Sequence, residues 1–438
     1  MPVRIGSISN AAGLADLLPA RRGLLLSLLA SAALFAVLSF VPGTRQGAIF
    51  PYDELCDYRM FMLPTMESKV HYEPTAAKAR DACYPPIAYI AARALVKDQG
   101  RKWSLSCGEK RLVVSIFAMQ LLGAVLLVCG LPGFWTRLAT AVVIIMSPAC
   151  ICSVLRGNPS GWAFALACVF LCWYESESRA KRIAAALALG AATALKITPC
   201  IFGLLYIADA ASGTRRIPWR EILVAALSAV ILIFVPFLFF GGIDSIPQWI
   251  SNAFANARFY SVDEPLWGLA ALANRVLYSK DVTHSCIRNF AVATRLIAAA
   301  LVALSVFARS YYVRLLFVGA AMAFLTHHDY GGAYLIPAFV AWLCDKRSEC
   351  SGVKSLLESV AWFMILAPLQ IPNPFFDGSL NAMLQNESLF MLLVLSRFDK
   401  GAFRHARLHN VFVPARSGGT GATGESGKSG VVAKGGLP

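Results

Sequence analysis

The chain has 438 residues, 57% of them hydrophobic and 15% charged, and its mean hydropathy of +0.60 excludes an ordinary soluble globular domain. Its 40 Lys and Arg outnumber 25 Asp and Glu. These basic residues fall mostly between apolar runs, so positive-inside topology and anionic membrane lipid account for them, and no nucleic acid is expected.

The first apolar run, Leu24 to Val41, follows Arg21 and Arg22. Its long polar leader and the lack of a clear cleavage site predict a retained helix with residues 1–22 cytoplasmic. Residues 42–111 then form a large polar loop, placed outside the cytoplasm, that holds Asp53, Glu54, Asp57, Glu67, Glu73 and Asp81 and the step Tyr84-Pro85-Pro86. Within it Ile87 to Val96 is too short to span and reads as an interfacial helix.

Further spans are expected near Leu112 to Gly130, Leu138 to Leu155, Trp162 to Tyr174, Ile222 to Phe240, Ala293 to Phe307, Leu315 to Thr326, Ala333 to Leu343, Leu356 to Leu369 and Leu389 to Leu395. Between Ile183 and Asp209 an apolar run is interrupted by Lys196 and Pro199, with basic residues on both flanks. Two short helices with their turn near Lys196 are expected there, and broken membrane helices often line sites. The total is about 12 membrane helices, an all-α polytopic domain over residues 23–400. Four basic segments then fall inside, while the five basic residues between Lys97 and Arg111 fall outside. Residues 413–438, rich in Gly, Ser and Thr, read as a disordered cytoplasmic tail. Its Ala-Thr-Gly-Glu-Ser-Gly-Lys-Ser run, Ala422 to Ser429, imitates a phosphate-binding loop but lacks the strand before it and the helix after it.

Of the 12 cysteines, Cys129, Cys150, Cys152, Cys168, Cys172 and Cys200 lie inside apolar runs without metal-ligand spacing, as small packing residues do. Cys56 and Cys83 share the first loop and would pair only if that loop met an oxidising compartment.

Few residues are placed to carry chemistry. Asp57, beside Tyr58 and Arg59, is a carboxylate able to accept a proton from an attacking hydroxyl, or else a helix cap or solvated loop residue. Lys196 stands in an apolar stretch where a charge costs about 2.5–3.5 kcal/mol, so it either meets an anion such as phosphate or snorkels to the headgroups. Arg156, next to Gly157 and Asn158, either joins the same anion or anchors at the interface. The cluster His327-His328-Asp329-Tyr330 lacks a second pair at metal spacing, so hydrogen bonding to substrate or a plain interfacial role is expected, and no metal. Asn252, Asn256, Arg258, Tyr260, Asp263 and Trp267 mix amides, charges and aromatics as sugar-binding surfaces and interfacial belts both do.

In their order along the chain these features resemble the polyprenol-phosphate-dependent glycosyltransferases of the GT-C superfamily and, within it, glycosyltransferase family 87, over roughly Leu24 to Leu343. Asp57-Tyr58 is similar to that family's acidic-aromatic pair, Tyr84-Pro85-Pro86 to its Tyr-Pro-Pro step, and Ala194-Leu195-Lys196-Ile197-Thr198-Pro199 to its Ala-Leu-Lys-x-x-Pro segment. His327-His328, followed by Leu335-Ile336-Pro337, resembles its outer His turn. The usual Gly-Gln-x-Asn turn is Gly157-Asn158-Pro159-Ser160 here, and Leu325-Thr326 replaces Ser-Trp before the histidines.

The resemblance implies a GT-C-type helical bundle in the plasma (inner) membrane with an extracytoplasmic site. It implies inverting transfer of a hexose, mannose first, from a polyprenyl-phosphate sugar to a glycan or glycolipid acceptor. Asp57 would be the base, and Lys196, Arg156, His327, His328, Tyr84, Asn158 and Arg258 would hold substrate or the donor phosphate, with no cofactor. A lipid or glycan transporter using the same spans and the same Lys196 is the alternative, and a noncatalytic scaffold a third reading.

Overall fold

The computed structural model describes residues 17, 19–39, 55–67, 72, 82–96, 105–212, 216–262, 267–277, 284–326, 329–345, 352–368 and 380–397. Every regular element among them is helical. After α1 (Pro19–Ser39), the first loop contributes a π-helical turn (Asp57–Met62) that runs into the short α2 (Leu63–Glu67), then α3 (Pro86–Leu95). Next come α4 (Cys107–Val128), α5 (Phe134–Ile145), α6 (Pro148–Leu155), α7 (Ser160–Trp173) and α8 (Arg179–Leu195). A 3-10 turn (Thr198–Gly203) leads into α9 (Leu204–Ala211), followed by α10 (Trp219–Phe234), α11 (Ile246–Val262), α12 (Gly268–Leu277), α13 (His284–Phe307) and α14 (Tyr311–Thr326). A second 3-10 turn (Asp329–Leu335) precedes α15 (Ile336–Cys344), and α16 (Gly352–Leu366) and α17 (Leu380–Ser396) complete the described chain.

Local chemistry sets the boundaries that matter. Ser106 starts α4 with a capping box: its Oγ accepts from the Glu109 N–H at 3.0 Å, and Glu109 Oε2 accepts from the Ser106 N–H at 2.9 Å, so two orphan donors of the first turn are satisfied. Between α5 and α6 the chain bends by 51°. Pro148 has no N–H to offer the Ile144 carbonyl, and the Ser147 hydroxyl takes that place at 2.7 Å. The span expected as one straight helix from Leu138 to Leu155 is therefore broken. The expected turn near Lys196 is present: Lys196 is extended at φ −154°, ψ 128°, and Pro199 cannot donate to the Leu195 carbonyl.

The structure departs from the sequence reading between the spans expected at Ile222 to Phe240 and Ala293 to Phe307. That interval, without an expected element, contains α11 and α12, and α13 starts at His284 instead of Ala293, because the amphipathic pattern continues beyond the fully apolar run. Cys56 and Cys83, which the sequence left to pair only in an oxidising compartment, are not joined by a disulfide. Asn252 and Trp267, read from sequence as part of a sugar-binding surface or interfacial belt, are instead buried in the fold. The tail, with its Ala422 to Ser429 run, lies outside the described residues.

Helices α1, α4, α13 and the stretch Trp219–Leu238 are long and apolar enough to cross a membrane, and the bent α5–α6 pair makes up to five such spans. Shorter apolar helices fill the space between them. On α10 a row of large apolar side chains, Leu223, Leu227, Val230, Ile231 and Phe234, faces outward, which is stable only where the surrounding solvent is lipid. On its other side α10 meets α8 at Gly190, where a Cβ would run into Ser228 Oγ and the Ala225 carbonyl. Small residues let two membrane helices approach this closely.

Buried side chains form two cores. The larger is built from α1 and α4–α9 together with α13–α17. A smaller one joins the first loop to α3, α4 and the end of α10 through Tyr58, Tyr72, Tyr84, Tyr89, Leu112, Phe237, Phe240 and Trp249. The ion pairs fix which helix ends lie together. Arg182 near the start of α8 pairs with Glu221 near the start of α10 at 2.9 Å, and Asp209 near the end of α9 pairs with Arg314 near the start of α14. Lys196, at the other end of α8, meets Ser160 at the start of α7.

Candidate active site

Two buried carboxylates adjoin the smaller core, Glu109, 1% exposed and paired with Arg59, and Asp57, 2% exposed and turned to other partners. The position of Asp57 is dictated by the end of another helix. The last carbonyls of α6 have no intrahelical partner, and two of them accept from the first loop: Leu155 O from the Leu55 N–H at 2.7 Å and Arg156 O from the Tyr58 N–H at 3.2 Å. This docking is tight enough to hold Leu55 at φ +58°, a conformation that costs a non-glycine residue about 1–2 kcal/mol. Gly157 complements it. At φ +66° it turns the chain out of α6, and a Cβ there would stand 3.0 Å from both Leu55 Cδ2 and Tyr58 Cβ. The π-helical turn, a geometry often found at functional sites, is pinned on its far side by Arg59, whose guanidinium makes a two-pronged pair with Glu109 at 2.7 and 2.9 Å.

Asp57 thereby faces the residues that follow α6. Arg156 donates through Nε to Asp57 Oδ1 at 2.8 Å, with its NH2 nitrogen 2.6 Å from the same oxygen. Asn158 Nδ2 donates to Asp57 Oδ2 and, at 2.9 Å, to the Tyr84 hydroxyl oxygen. Both carboxylate oxygens are thus held by donors that favour the anion. Asn158 Oδ1 in turn accepts from the backbone N–H and the hydroxyl of Ser160, and Lys196 Nζ donates to Ser160 Oγ at 2.9 Å. Residues 57, 84, 156, 158, 160 and 196 form one hydrogen-bonded network.

Tyr84 is positioned by backbone satisfaction. The segment before α3 has no helix or strand partner, so side chains take its carbonyls: Asn252 that of Ala82 at 3.3 Å, Trp249 that of Cys83 at 3.1 Å, and Tyr72 that of Tyr84 at 3.1 Å. The Tyr84 N–H donates to the Tyr89 hydroxyl at 3.3 Å. Burial, with the Asp57 carboxylate adding to it, pushes the Tyr84 phenol well above its usual pKa. It stays protonated, and since its oxygen accepts from Asn158, its proton is directed elsewhere as a donor.

Of the residues singled out from sequence, Asp57, Tyr84, Arg156, Asn158 and Lys196 are brought together. Arg258 lies exposed on α11 and is not among the groups bonded to Asp57, Asn158 or Tyr84. His327 and His328 lie outside the described residues. Among the described residues no three His, Cys, Asp or Glu side chains gather as a metal site would require. Ser160, Glu109, Trp249 and Asn252 were not foreseen in these roles. Of these only Glu109 has a local sequence signal that could have drawn notice, the Ser106-x-x-Glu109 capping pattern.

The chemistry this network offers is proton acceptance at a fixed carboxylate beside two cations. Residues 84–327 match the sequence model of glycosyltransferase family 87. No curated protein and no solved structure matches the chain. Asp57 precedes the matched segment, and the fold delivers it to Tyr84, Arg156, Asn158 and Lys196 within that segment. Since the match covers more than half of the sequence, this helical membrane protein belongs to glycosyltransferase family 87 and is a glycosyltransferase.

Proposed function

We propose that the protein transfers a hexose, with mannose the first choice, from a polyprenyl-phosphate donor to a glycan or glycolipid acceptor, with inversion, on the extracytoplasmic side of the plasma membrane. The observation that carries the reading is the buried Asp57 carboxylate held by Arg156 and Asn158, two hydrogen bonds from Tyr84 through Asn158 and three from Lys196 by way of Asn158 and Ser160.

In this reaction the acceptor hydroxyl attacks the anomeric carbon, the bond from that carbon to the phosphate oxygen breaks, and polyprenyl phosphate leaves with the electron pair. Asp57 takes the hydroxyl proton. The proton moves late, after attack has made the hydroxyl acidic. The leaving phosphate monoester needs charge stabilisation rather than a proton. Lys196 carries three donors and Arg156 five, so each can keep its present partner and still meet a phosphate oxygen. No cofactor takes part. His327 and His328 are proposed to orient donor or acceptor.

A lipid-borne donor fits the surroundings. Next to Phe240, whose ring stacks on Tyr89 at 5.1 Å, an open cleft of about 420 Å³ is lined by Ile90, Arg93, Ala94, Phe239 and Phe240, four apolar side chains and one cation. Charge supports the side assignment: Arg21, Arg22, Arg179, Lys181, Arg182, Arg220, Arg309 and Arg314 lie at or beside helix ends away from the site and outnumber Lys110 and Arg111 at the start of α4, as a cytoplasmic face would require. The scheme of about 12 membrane helices accords with this orientation.

The test is transfer by the purified protein in lipid, from synthetic polyprenyl-phosphate mannose to a panel of glycans and glycolipids. Asp57→Asn is expected to lower turnover by about 10²–10⁴-fold while free polyprenyl phosphate release falls in parallel. Full transfer by Asp57→Asn would refute the base, and substrate flux without release of polyprenyl phosphate would favour a transporter.

A further inference from the structure

Ser160 stands between two groups that the proposed chemistry uses and bears no charge itself. It is the first residue of α7 and 2% exposed. Its oxygen accepts from Lys196 Nζ at 2.9 Å, and its hydroxyl donates to Asn158 Oδ1, which also accepts the Ser160 backbone N–H at 2.8 Å. An ammonium has donors only, so its approach to the serine oxygen leaves the single hydroxyl proton to point at Asn158. The Asn158 amide then has one arrangement that satisfies every atom, with its oxygen toward Ser160 and its NH2 toward Asp57 and Tyr84. The reverse arrangement would set an amide oxygen against the carboxylate and waste both serine donors.

We propose that Ser160 is a positioning residue, carrying the polarity of the Lys196 ammonium through the Asn158 amide to the Asp57 carboxylate. The inference rests on the reading of Asp57 as the base. Aligned donors polarise one another in a low dielectric, so losing the middle hydroxyl weakens the last hydrogen bond, the one on the carboxylate. Hydrogen bonds to the charged form favour it, so the weakened network binds a proton more readily and the Asp57 titration moves to higher pH.

Other charges act on Asp57, and all of them survive removal of the serine hydroxyl. Arg156 faces it from the end of α6, Tyr84 from the segment before α3 and Lys196 from the end of α8, while Cys56 and Cys83 stand near these groups and Cys152 lies beneath Arg156 and Lys196. On the same turn, Arg59 is neutralised by Glu109. A Ser160→Ala substitution changes none of these charges, so a shift reports the hydrogen bond.

The experiment follows the protonation of Asp57 by infrared titration of the full chain, labelled with ¹³C-aspartate, in lipid nanodiscs. The Asp57 band is identified as the one missing in Asp57→Asn. Ser160→Ala is expected to raise the midpoint by about one pH unit, tenfold in proton affinity. Ser160→Thr, which keeps the hydroxyl, is expected to restore it, and Ser160→Cys, a weaker donor of similar size, to fall between. An unmoved midpoint in Ser160→Ala or Ser160→Cys overturns the proposal, as does a Ser160→Thr midpoint that moves as far as that of alanine. The transfer assay separates this from the base itself: full activity of Asp57→Asn refutes the base, whereas inactive Asp57→Asn with unmoved serine variants refutes the relay alone.

Discussion

Both ends of the bundle hold an arginine against a carboxylate, and the two pairs are built for different purposes. At the end opposite the site, Asp209 and Arg314 are 7% and 6% exposed, and Arg314 also donates to the Ala308 carbonyl at 3.0 Å. That second bond closes the turn between α13 and α14, so the pair fastens three helices. At the other end Asp57 and Arg156 are 2% and 17% exposed. The carboxylate there comes from a loop, meets an amide that also holds a tyrosine hydroxyl, and connects to a lysine. The contrast teaches that burial of an ion pair does not mark a site. What distinguishes Asp57 is convergence of groups from four separate segments, with a phenol and an ammonium left close enough to act on something else.

That contrast can be broken from either side. Asp57→Asn, which gives the largest effect, should abolish most transfer at a smaller cost in thermal unfolding in nanodiscs, because the asparagine oxygen can still accept from Arg156 although its NH2 then faces the Asn158 NH2. Arg314→Met should do the reverse. It leaves Asp209 buried without its guanidinium, a loss of about 3–5 kcal/mol, and the added substitution Asp209→Leu should recover much of it, as differential unfolding would show. Unchanged stability in Arg314→Met would mean that the opposite end is not the structural one.

Gly157→Ala tests the docking of the first loop on α6. A methyl group at φ +66°, in contact with Leu55 and Tyr58, should cost about 1–2 kcal/mol and lower turnover by displacing Asp57, which a comparison of unfolding and kcat would resolve. The smallest effect is expected at Glu221→Gln, whose partner Arg182 is 24% exposed. A screened pair of this kind contributes about 0–1 kcal/mol, and turnover should not change.

Much of the site was legible because rare chemistry stands out against an apolar chain. Lys196 and Arg156 are conspicuous where a charge is costly, and Pro199 marks the break that exposes Lys196. Asn252 was misread from the same kind of evidence. Its neighbours mix amides and aromatics as a surface would, yet its amide is consumed by the Ala82 carbonyl. Ser160 could not be foreseen, since a serine at a helix start is ordinarily a capping residue, and here its partner comes from the end of α8.

What the sequence determined by itself was the solvent, the helical class and the resemblance that the family match then bore out. These follow from hydropathy, periodicity and short motifs, all of which are local. Tertiary structure alone decided that α5 and α6 bend apart, that Cys56 and Cys83 are not joined by a disulfide, and that Asp57 meets Arg156 and Asn158 across about a hundred residues of chain. The physical reason is that orphan carbonyls at the end of α6 and bare carbonyls before α3 must find donors. Those donors come from whichever segment packing brings near, and no local pattern records which one that is.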